Sequence, residues 1–149
     1  MEIKNESFTI LTRGFDDTVD ITSKIINLTA ASNIKEGFIN VFTSSSASGF
    51  IITEQEPGIV EDVKKLVSFM IPVNKMYEHD LKWHEGNGFS YLRAVFFPKN
   101  IIIPVISGTL KLGKYQQIVF IDFDNKSSSR EIIVTISGQA KEEKQQQLQ

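Results

Sequence analysis

Cysteine is absent from this chain of 149 residues, and its absence excludes several kinds of protein. Without thiols there can be no disulfide scaffold, no cysteine nucleophile and no cysteine-ligated zinc site. No apolar run approaches the roughly 20 residues of a membrane-spanning helix, and the polar N-terminal segment does not resemble a secretory signal. We therefore predict a cytoplasmic protein with no membrane partner.

A strong excess of charge of either sign is also missing. Sixteen basic and 18 acidic residues give a formal net charge of −2, which leaves no overall basic excess to neutralise a phosphate backbone. We therefore expect no nucleic-acid partner. Hydrophobic residues make up 41% and charged residues 23%, and both values are close to those of soluble globular domains.

Two segments have the apolar period of a helix, and most of the others have the character of strands. The helical segments are 22–31 and 57–70. Pro57 suits a first helical position, Pro72 prevents continuation, and we expect the apolar stripe that includes Val63 to pack on a sheet. The predicted strands are 8–12, 15–19, 38–42, 50–52, 91–97, 101–105, 115–123 and 131–137.

The order of these elements is ββαββα followed by a run of strands. Helices that are inserted between strands, rather than alternating with them, favour an α+β fold with a largely antiparallel sheet or sandwich. We predict one domain over residues 1–138. The remaining residues, 139–149, are polar and lack apolar surface to dock, so we predict a flexible C-terminal tail.

Two polar stretches are candidates for chemistry. His79 and His84 lie in the polar segment 77–87, where a histidine beside carboxylates could act as a metal ligand or a general base. The alternative is a pair of solvated loop histidines, which is favoured because no pattern places both on one helical face. The segment 43–49 is a hydroxyl- and glycine-rich turn that could bind an anion through its N–H groups, or could be only a flexible polar turn.

A series of short motifs resembles the YjbQ-type family over nearly the whole chain. The matching positions are 37–42, 53–54, 57–62, 72, 77–80, 87, 92–94, 103–105, 108, 112–116, 122–124, 130 and 137–138. Their order and spacing are specific, although no single motif is. Family members are commonly labelled as uncharacterised proteins or as secondary thiamine-phosphate synthases. The resemblance implies an α+β fold, a compact homotrimer, and a polar cleft where three histidines and a glutamate gather.

Two of the three family histidines are replaced in this chain. Only His79 is kept, while Ser45 and Tyr91 occupy the other two positions. Serine and tyrosine hydroxyls are poor ligands for zinc-like ions compared with imidazole, and neither transfers protons readily near neutral pH. We therefore predict that the metal site of the relatives is lost and that no cofactor is bound.

The resemblance leaves two functions open. The first is a thiamine-phosphate-synthase-like transferase that acts on a small phosphorylated metabolite, with His79, Glu54, Gln116 and Asp122 as catalytic residues. The second is a non-catalytic homotrimer that binds a small anion or metabolite in a degenerate active site. The ligand-binding residues implied for this site are Ser45, Ser46, Ser48, Asn87, Tyr91 and Arg93. We expect Glu54, His79 and Gln116 to lie in one cleft, with Ser45 and Tyr91 at the positions of the missing histidines. Arg93 would help to hold an anion there if its side chain faces the cleft.

Overall fold

A computed structural model describes residues 1–143, and its strands form two antiparallel sheets. In chain order the elements are β1 (Glu2–Thr12), β2 (Asp17–Asp20), α1 (Thr22–Ala31), β3 (Ile34–Thr43), β4 (Ser48–Thr53), α2 (Pro57–Met70), α3 (Glu78–Trp83), α4 (Gly88–Val95), β5 (Asn100–Ile106), β6 (Thr109–Leu110), β7 (Gln117–Asp122) and β8 (Ser128–Ala140). The larger sheet has the order β1-β8-β3-β5-β6, and the smaller has the order β2-β7-β4. This architecture confirms the predicted α+β class with mainly antiparallel sheets.

The main core lies between the two sheets. Along β3, the buried residues Ile39 and Val41 alternate with the exposed residues Phe38 and Phe42, because successive side chains of a strand point to opposite faces. In the smaller sheet the rings of Phe50 and Phe120 meet edge to face, with 5.5 Å between their centroids. The alternation visible in the sequence therefore selects the face that is buried.

Helix α2 has the predicted bounds, but it buries only part of its apolar stripe. Val63 and Val67 pack on the outer face of the smaller sheet, in a second apolar cluster. Leu66, Phe69 and Met70 remain exposed, and Phe69 is 86% accessible. The expectation that the stripe packs on a sheet is therefore only partly met, and an apolar surface is left at the C-terminal end of α2.

Two predictions of local structure are wrong in the segment 77–97. The predicted loop contains α3, and the predicted strand 91–97 is instead mostly α4. A short apolar run does not distinguish a strand from a buried helix. In α4 the buried residues Phe89, Ser90, Arg93 and Ala94 recur at helical spacing, because this helix packs against the smaller sheet.

The first two residues of the segment predicted as a tail, Gln139 and Ala140, belong to a strand. Strand β8 continues to Ala140, and Gln139 and Ala140 are paired with Glu36 and Ile34 of β3. This pairing uses backbone groups, so it does not require the apolar side chains whose absence suggested a tail. The end of the predicted tail, residues 144–149, lies outside the described residues. In the described part of the chain, no helix combines the length and the apolar character needed to span a membrane.

Candidate functional site

A cavity of about 370 Å³ lies between α3 and α4, and we call it the α3–α4 cavity. Its volume is in the range of small-molecule sites, which is roughly 300–1,000 Å³. Its walls are aromatic and aliphatic, and its polar side chains come from only a few positions. The lining residues are Tyr77, Glu78, His79, Gly88, Tyr91, Leu92 and Val95.

The carboxylate of Asp80 holds the two helices of this cavity together. It accepts a hydrogen bond of 3.0 Å from the backbone N–H of Tyr77 at the start of α3. Its other oxygen accepts one of 2.8 Å from the backbone N–H of Gly88, the first residue of α4. These two backbone hydrogen bonds lower the pKa of Asp80, so the carboxylate remains ionised at neutral pH and both contacts persist.

His79 is the polar centre of the cavity. Its ring lies 4.5 Å from that of Tyr91, centroid to centroid, and 6.4 Å from that of Trp83. The Nε2 atom of His79 is buried and has no hydrogen-bond partner among the described residues. An imidazole nitrogen can accept or donate one hydrogen bond according to its protonation, so this atom keeps a hydrogen-bonding capacity that the described residues do not use.

A second, smaller cavity contains the other residues that the resemblance implicates. It measures about 240 Å³, and we call it the β4–β7 cavity because it lies where β4 ends and β7 begins. Its lining residues are Glu54, Gln55, Glu56, Lys114, Tyr115 and Gln117. Gln116 is exposed between two of these residues, and its side-chain oxygen accepts a hydrogen bond of 2.8 Å from the N–H of Gly113.

The two cavities lie at opposite ends of the smaller sheet. Strand β4 pairs with β7 from Ser48, beside Asp122, to Thr53, beside Gln117, and its six residues span about 17–20 Å. Glu54 follows β4 directly, and the 14-residue helix α2 then runs back over about 21 Å.

The far end of α2 is joined to α4. The backbone oxygen of Ile71, which follows α2, accepts two hydrogen bonds from Arg93 of α4. Within one chain the structure therefore brings His79 and Tyr91 together and leaves Glu54 and Gln116 at the other end of α2, a helix about 21 Å long. No single cleft of one chain contains His79, Tyr91, Glu54 and Gln116. That these residues share a cleft therefore stays a prediction, and it requires more than one chain.

The serine-rich turn stabilises its own conformation with groups that an anion would need. The hydroxyl of Ser45 accepts a hydrogen bond of 3.3 Å from the N–H of Ala47, and the N–H of Ser45 donates to the hydroxyl of Thr43. Ser46 is exposed, whereas Ser48 is buried and its hydroxyl lacks a partner. The anion-binding role of Ser45, Ser46 and Ser48 stays a prediction.

Arg93 faces the protein interior, so the condition on which its ligand-binding role depends, a side chain that faces the cleft, is not met within the single chain. Its side chain is only 2% exposed and forms an ion pair with Asp16 at 3.0 Å. The same guanidinium donates to the backbone oxygen of Ile71 at 2.8 and 3.0 Å. The resemblance implies a ligand-binding role for Arg93, but its position on the buried face of α4 turns the side chain inward.

Asp122 is also a structural residue, and its predicted catalytic role is not supported. Its fully buried carboxylate accepts hydrogen bonds from the hydroxyl of Thr12 at 2.6 Å and from Arg130 at 2.8 Å. Asn87 belongs to the same network, because its amide donates to Asp124 at 3.3 Å. Burial works to raise the pKa of Asp124, but hydrogen bonds from Asn125 and Asn87 and the charge of Arg130 lower it overall.

The residues present do not fit the three-histidine metal site that the resemblance implies. In the described range 1–143, no three histidine, aspartate or glutamate side chains are grouped to hold a metal ion. The aromatic neighbours of His79 are Tyr91 and Trp83, and neither supplies a good ligand for zinc-like ions.

Several residues of the α3–α4 cavity escaped the sequence analysis. Tyr77, Leu92 and Val95 line it, and Trp83 lies beside His79. The signal that could have revealed Leu92 and Val95 is helical spacing, since Gly88, Tyr91, Leu92 and Val95 recur at intervals of three and four. The assignment of 91–97 to a strand concealed this pattern.

The fold and this cavity define a class of small α+β protein with an aromatic, histidine-bearing pocket. The chain belongs to the UPF0047 family of YjbQ-like proteins, which matches residues 6–139. A UPF0047 protein of Methanothermobacter thermautotrophicus is 31% identical over 138 residues, which cover 93% of this chain and 94% of that protein. The UPF0047 protein YjbQ of Escherichia coli O157:H7 is 22% identical over 121 residues, with 80% and 87% coverage.

Solved structures have the same fold. A YbjQ-like protein of unknown function from Sulfolobus solfataricus superposes with a TM-score of 0.83 at 26% identity, covering 93% of this chain and 100% of that chain. A YjbQ/UPF0047 family protein from Clostridium acetobutylicum has a TM-score of 0.81 at 26% identity, with 89% and 99% coverage. The architecture is therefore common to archaeal and bacterial relatives.

Proposed function

We propose that this protein binds a small metabolite in the α3–α4 cavity, with His79 as the polar anchor. The observation that carries the proposal is the buried, unpartnered Nε2 atom of His79. A buried polar atom without a partner costs about 1–3 kcal/mol, and a ligand that pairs with this atom recovers that cost. The site is thus shaped to prefer a ligand with one well-placed polar atom.

The walls of the cavity indicate the kind of ligand. Tyr77 and Tyr91 offer aromatic surface and Leu92 and Val95 offer aliphatic surface, which together suit a planar ring. The resemblance to thiamine-phosphate synthases suggests a phosphorylated heterocycle. Among the described residues, no lysine or arginine lines the cavity, so we expect the ring of the ligand, rather than its phosphate, to occupy the space beside His79.

Trp83 provides the test, because it is the only tryptophan of the chain and its ring lies 6.4 Å from that of His79. We expect thiamine phosphate to change the tryptophan fluorescence in a saturable manner, and inorganic phosphate to leave it unchanged. The His79→Ala variant should weaken binding about tenfold, because a hydrogen bond in a buried site contributes about 1.4 kcal/mol. Equal binding of thiamine phosphate by the wild-type chain and by His79→Ala would overturn the proposal.

An enzyme of the thiamine-phosphate-synthase type is the second candidate. It is favoured by the same free Nε2 atom, since a histidine within hydrogen-bond reach of a ligand can act as a general acid or base. The test is rescue of a thiamine-phosphate auxotroph by the wild-type chain, with His79→Ala as the matched control. Failure of the wild-type chain to rescue growth, despite binding in the fluorescence titration, would leave the binding function alone.

We further propose that the chain forms a homotrimer, as the resemblance implies. The exposed apolar side chains of α2 and α4 support this proposal, since Phe69 is 86% and Val95 is 73% accessible in the single chain. Light scattering at micromolar concentration should give three times the chain mass of 16.8 kDa. The mass of a monomer would contradict the proposed homotrimer.

A further inference from the structure

Aromatic rings from two neighbouring helices gather at the α3–α4 cavity. Tyr77, His79 and Tyr91 line it, and the rings of His79 and Tyr91 form a tilted pair with 4.5 Å between their centroids. The ring of Trp83 lies 6.4 Å from that of His79, at an interplanar angle of 33°. The cavity therefore has a density of aromatic faces that filling apolar space does not require.

The charged lining of the same cavity is of one sign. Glu78 contributes a carboxylate, whereas no lysine or arginine of the described residues belongs to the lining. The hydroxyl of Tyr77 donates to the backbone oxygen of Pro72 at 2.7 Å, which fixes the position of that ring. Aromatic faces carry negative charge density, so the rings and the carboxylate of Glu78 both attract a cation.

Two rings of this group already attract ammonium groups of the chain itself. The Nζ atom of Lys75 lies over the Tyr77 ring, 5.7 Å from its centre, and that of Lys82 lies over the Trp83 ring at 5.3 Å. A cation within about 6 Å of a ring centre is attracted by the π-system. Both lysines are exposed and neither lines the cavity, and the two carboxylates of α3 offset their charge.

We propose that the α3–α4 cavity selects a ligand with a positively charged nitrogen, which is held against the aromatic rings beside His79 and by the carboxylate of Glu78. The inference rests on the proposed function, because it names the chemical class of the metabolite bound there. A quaternary ring nitrogen or a protonated amine is the group that such a lining recognises. An N–H donor on the same ligand would also pair with Nε2 of His79, since an unprotonated imidazole nitrogen accepts a hydrogen bond.

A cavity with only apolar attraction would make the opposite choice. Removing a charge from water is costly, so purely aliphatic walls favour the uncharged member of two ligands of equal shape. N-methylpyridinium and toluene are such a pair, because they differ only in whether the methyl group is attached to a charged nitrogen or to carbon. A preference for N-methylpyridinium therefore measures the attraction of the rings and of Glu78.

The ring protons of histidine provide the readout, because the chain has only two histidines. Proton NMR of His84→Gln assigns the remaining ring signals to His79. In titrations of the wild-type chain, these signals should shift in a saturable manner, and N-methylpyridinium should bind at least about fivefold more tightly than toluene. Equal binding, tighter binding of toluene, or no shift with either compound would overturn the proposal.

The role of the carboxylate is tested separately. Glu78→Gln should weaken the binding of N-methylpyridinium about threefold, less so in added salt, because an exposed charge acts weakly and is screened in water. Toluene binding should not change. The matched control is Glu61→Gln, which removes the same charge at an exposed position of α2 that lines neither cavity. Equal effects of the two substitutions would overturn the assignment of Glu78.

The role of the rings is tested at Tyr91. Tyr91→Leu keeps apolar surface but removes one aromatic face, so the preference for N-methylpyridinium over toluene should fall. Tyr91→Phe keeps the ring and should keep the preference. An unchanged preference in folded Tyr91→Leu would overturn the role of this ring. If Tyr91→Leu does not fold, the wild-type comparison and Glu78→Gln still decide the proposal.

The outcome is separable from that of the proposed function. If thiamine phosphate binds in a manner that depends on His79 while N-methylpyridinium binds no better than toluene, the proposed function stands and selection by charge is refuted. If N-methylpyridinium is preferred and thiamine phosphate does not bind, selection by charge stands and the phosphorylated heterocycle is the wrong ligand class.

Discussion

The polar groups around Asp122 and those of the α3–α4 cavity differ in how completely they are paired. Asp122 and Arg93 are buried, and both oxygens of the carboxylate and both terminal nitrogens of the guanidinium have hydrogen-bond partners. His79 is equally inaccessible at Nε2 but has no partner there. The comparison teaches that the buried charges of this fold are fully paired, whereas the imidazole of His79 keeps unused hydrogen-bonding capacity next to a cavity.

The largest expected effect comes from breaking a fully paired group. Arg93→Ala leaves the Asp16 carboxylate and the Ile71 backbone oxygen without their partner, and loss of one member of a buried ion pair costs about 3–5 kcal/mol. Urea unfolding should show this loss in the free energy of unfolding. The matched control is Arg13→Ala, which removes the exposed ion pair with Asp17 and should cost less than about 1 kcal/mol. If Arg93→Ala and Arg13→Ala lowered the free energy of unfolding by the same amount, the buried ion pair of Arg93 would contribute no more than the exposed ion pair of Arg13.

A smaller loss is expected at the other paired group. Asp122→Asn keeps the size of the side chain but removes the charge that Arg130 and Thr12 contact. Hydrogen bonds to charged groups contribute about 1.5–3 kcal/mol, so thermal unfolding should show a destabilisation of about 2 kcal/mol. Unchanged ligand binding by the folded variant would separate Asp122 from the metabolite site. A selective loss of activity without a loss of stability would restore its catalytic role.

The unpaired group should respond in the opposite manner. His79→Phe replaces an unsatisfied buried nitrogen by an apolar ring of similar shape, a change that is neutral or stabilising by up to about 1 kcal/mol. Ligand-induced changes in Trp83 fluorescence should disappear at the same time. A marked destabilisation would mean that the imidazole makes a structural contact after all.

The smallest effect concerns acid pH at the junction of α3 and α4. Hydrogen bonds from the N–H groups of Tyr77 and Gly88 hold the pKa of Asp80 below its ordinary value of 3.8. The stabilising contribution is therefore present above pH 3.8 and is lost as the pH falls through the lower pKa of the folded state. Trp83 fluorescence should report this loosening in the wild-type chain.

The matched variant for this test is Asp80→Asn, whose amide cannot titrate. Its fluorescence should lack the acid transition assigned to Asp80 throughout the range below pH 4. Persistence of an unchanged transition in this variant would assign it to other carboxyl groups, such as that of Asp124, whose pKa is also lowered.

The sequence identified the helices α1 and α2 and the α+β class because their apolar periods are long and flanked by strong boundary residues. It failed in 77–97, where each element is too short for its period to be distinctive. The same failure hid most of the α3–α4 cavity, although His79 and Tyr91 were chosen as site residues. Arg93 and Asp122 were chosen as well, because residue type and resemblance do not tell which polar side chains are already paired.

The sequence by itself determined the absence of cysteine chemistry, the replacement of two family histidines by Ser45 and Tyr91, and the buried faces of the long elements. Each of these follows from residue identity or from a period of two or 3.6 residues. Only the tertiary structure decided that Arg93 and Asp122 are paired, that Nε2 of His79 has no partner among the described residues, and that Glu54 and His79 line different cavities. Pairing and separation depend on residues far apart in the chain, which are brought together by sheet register and by the direction of α2.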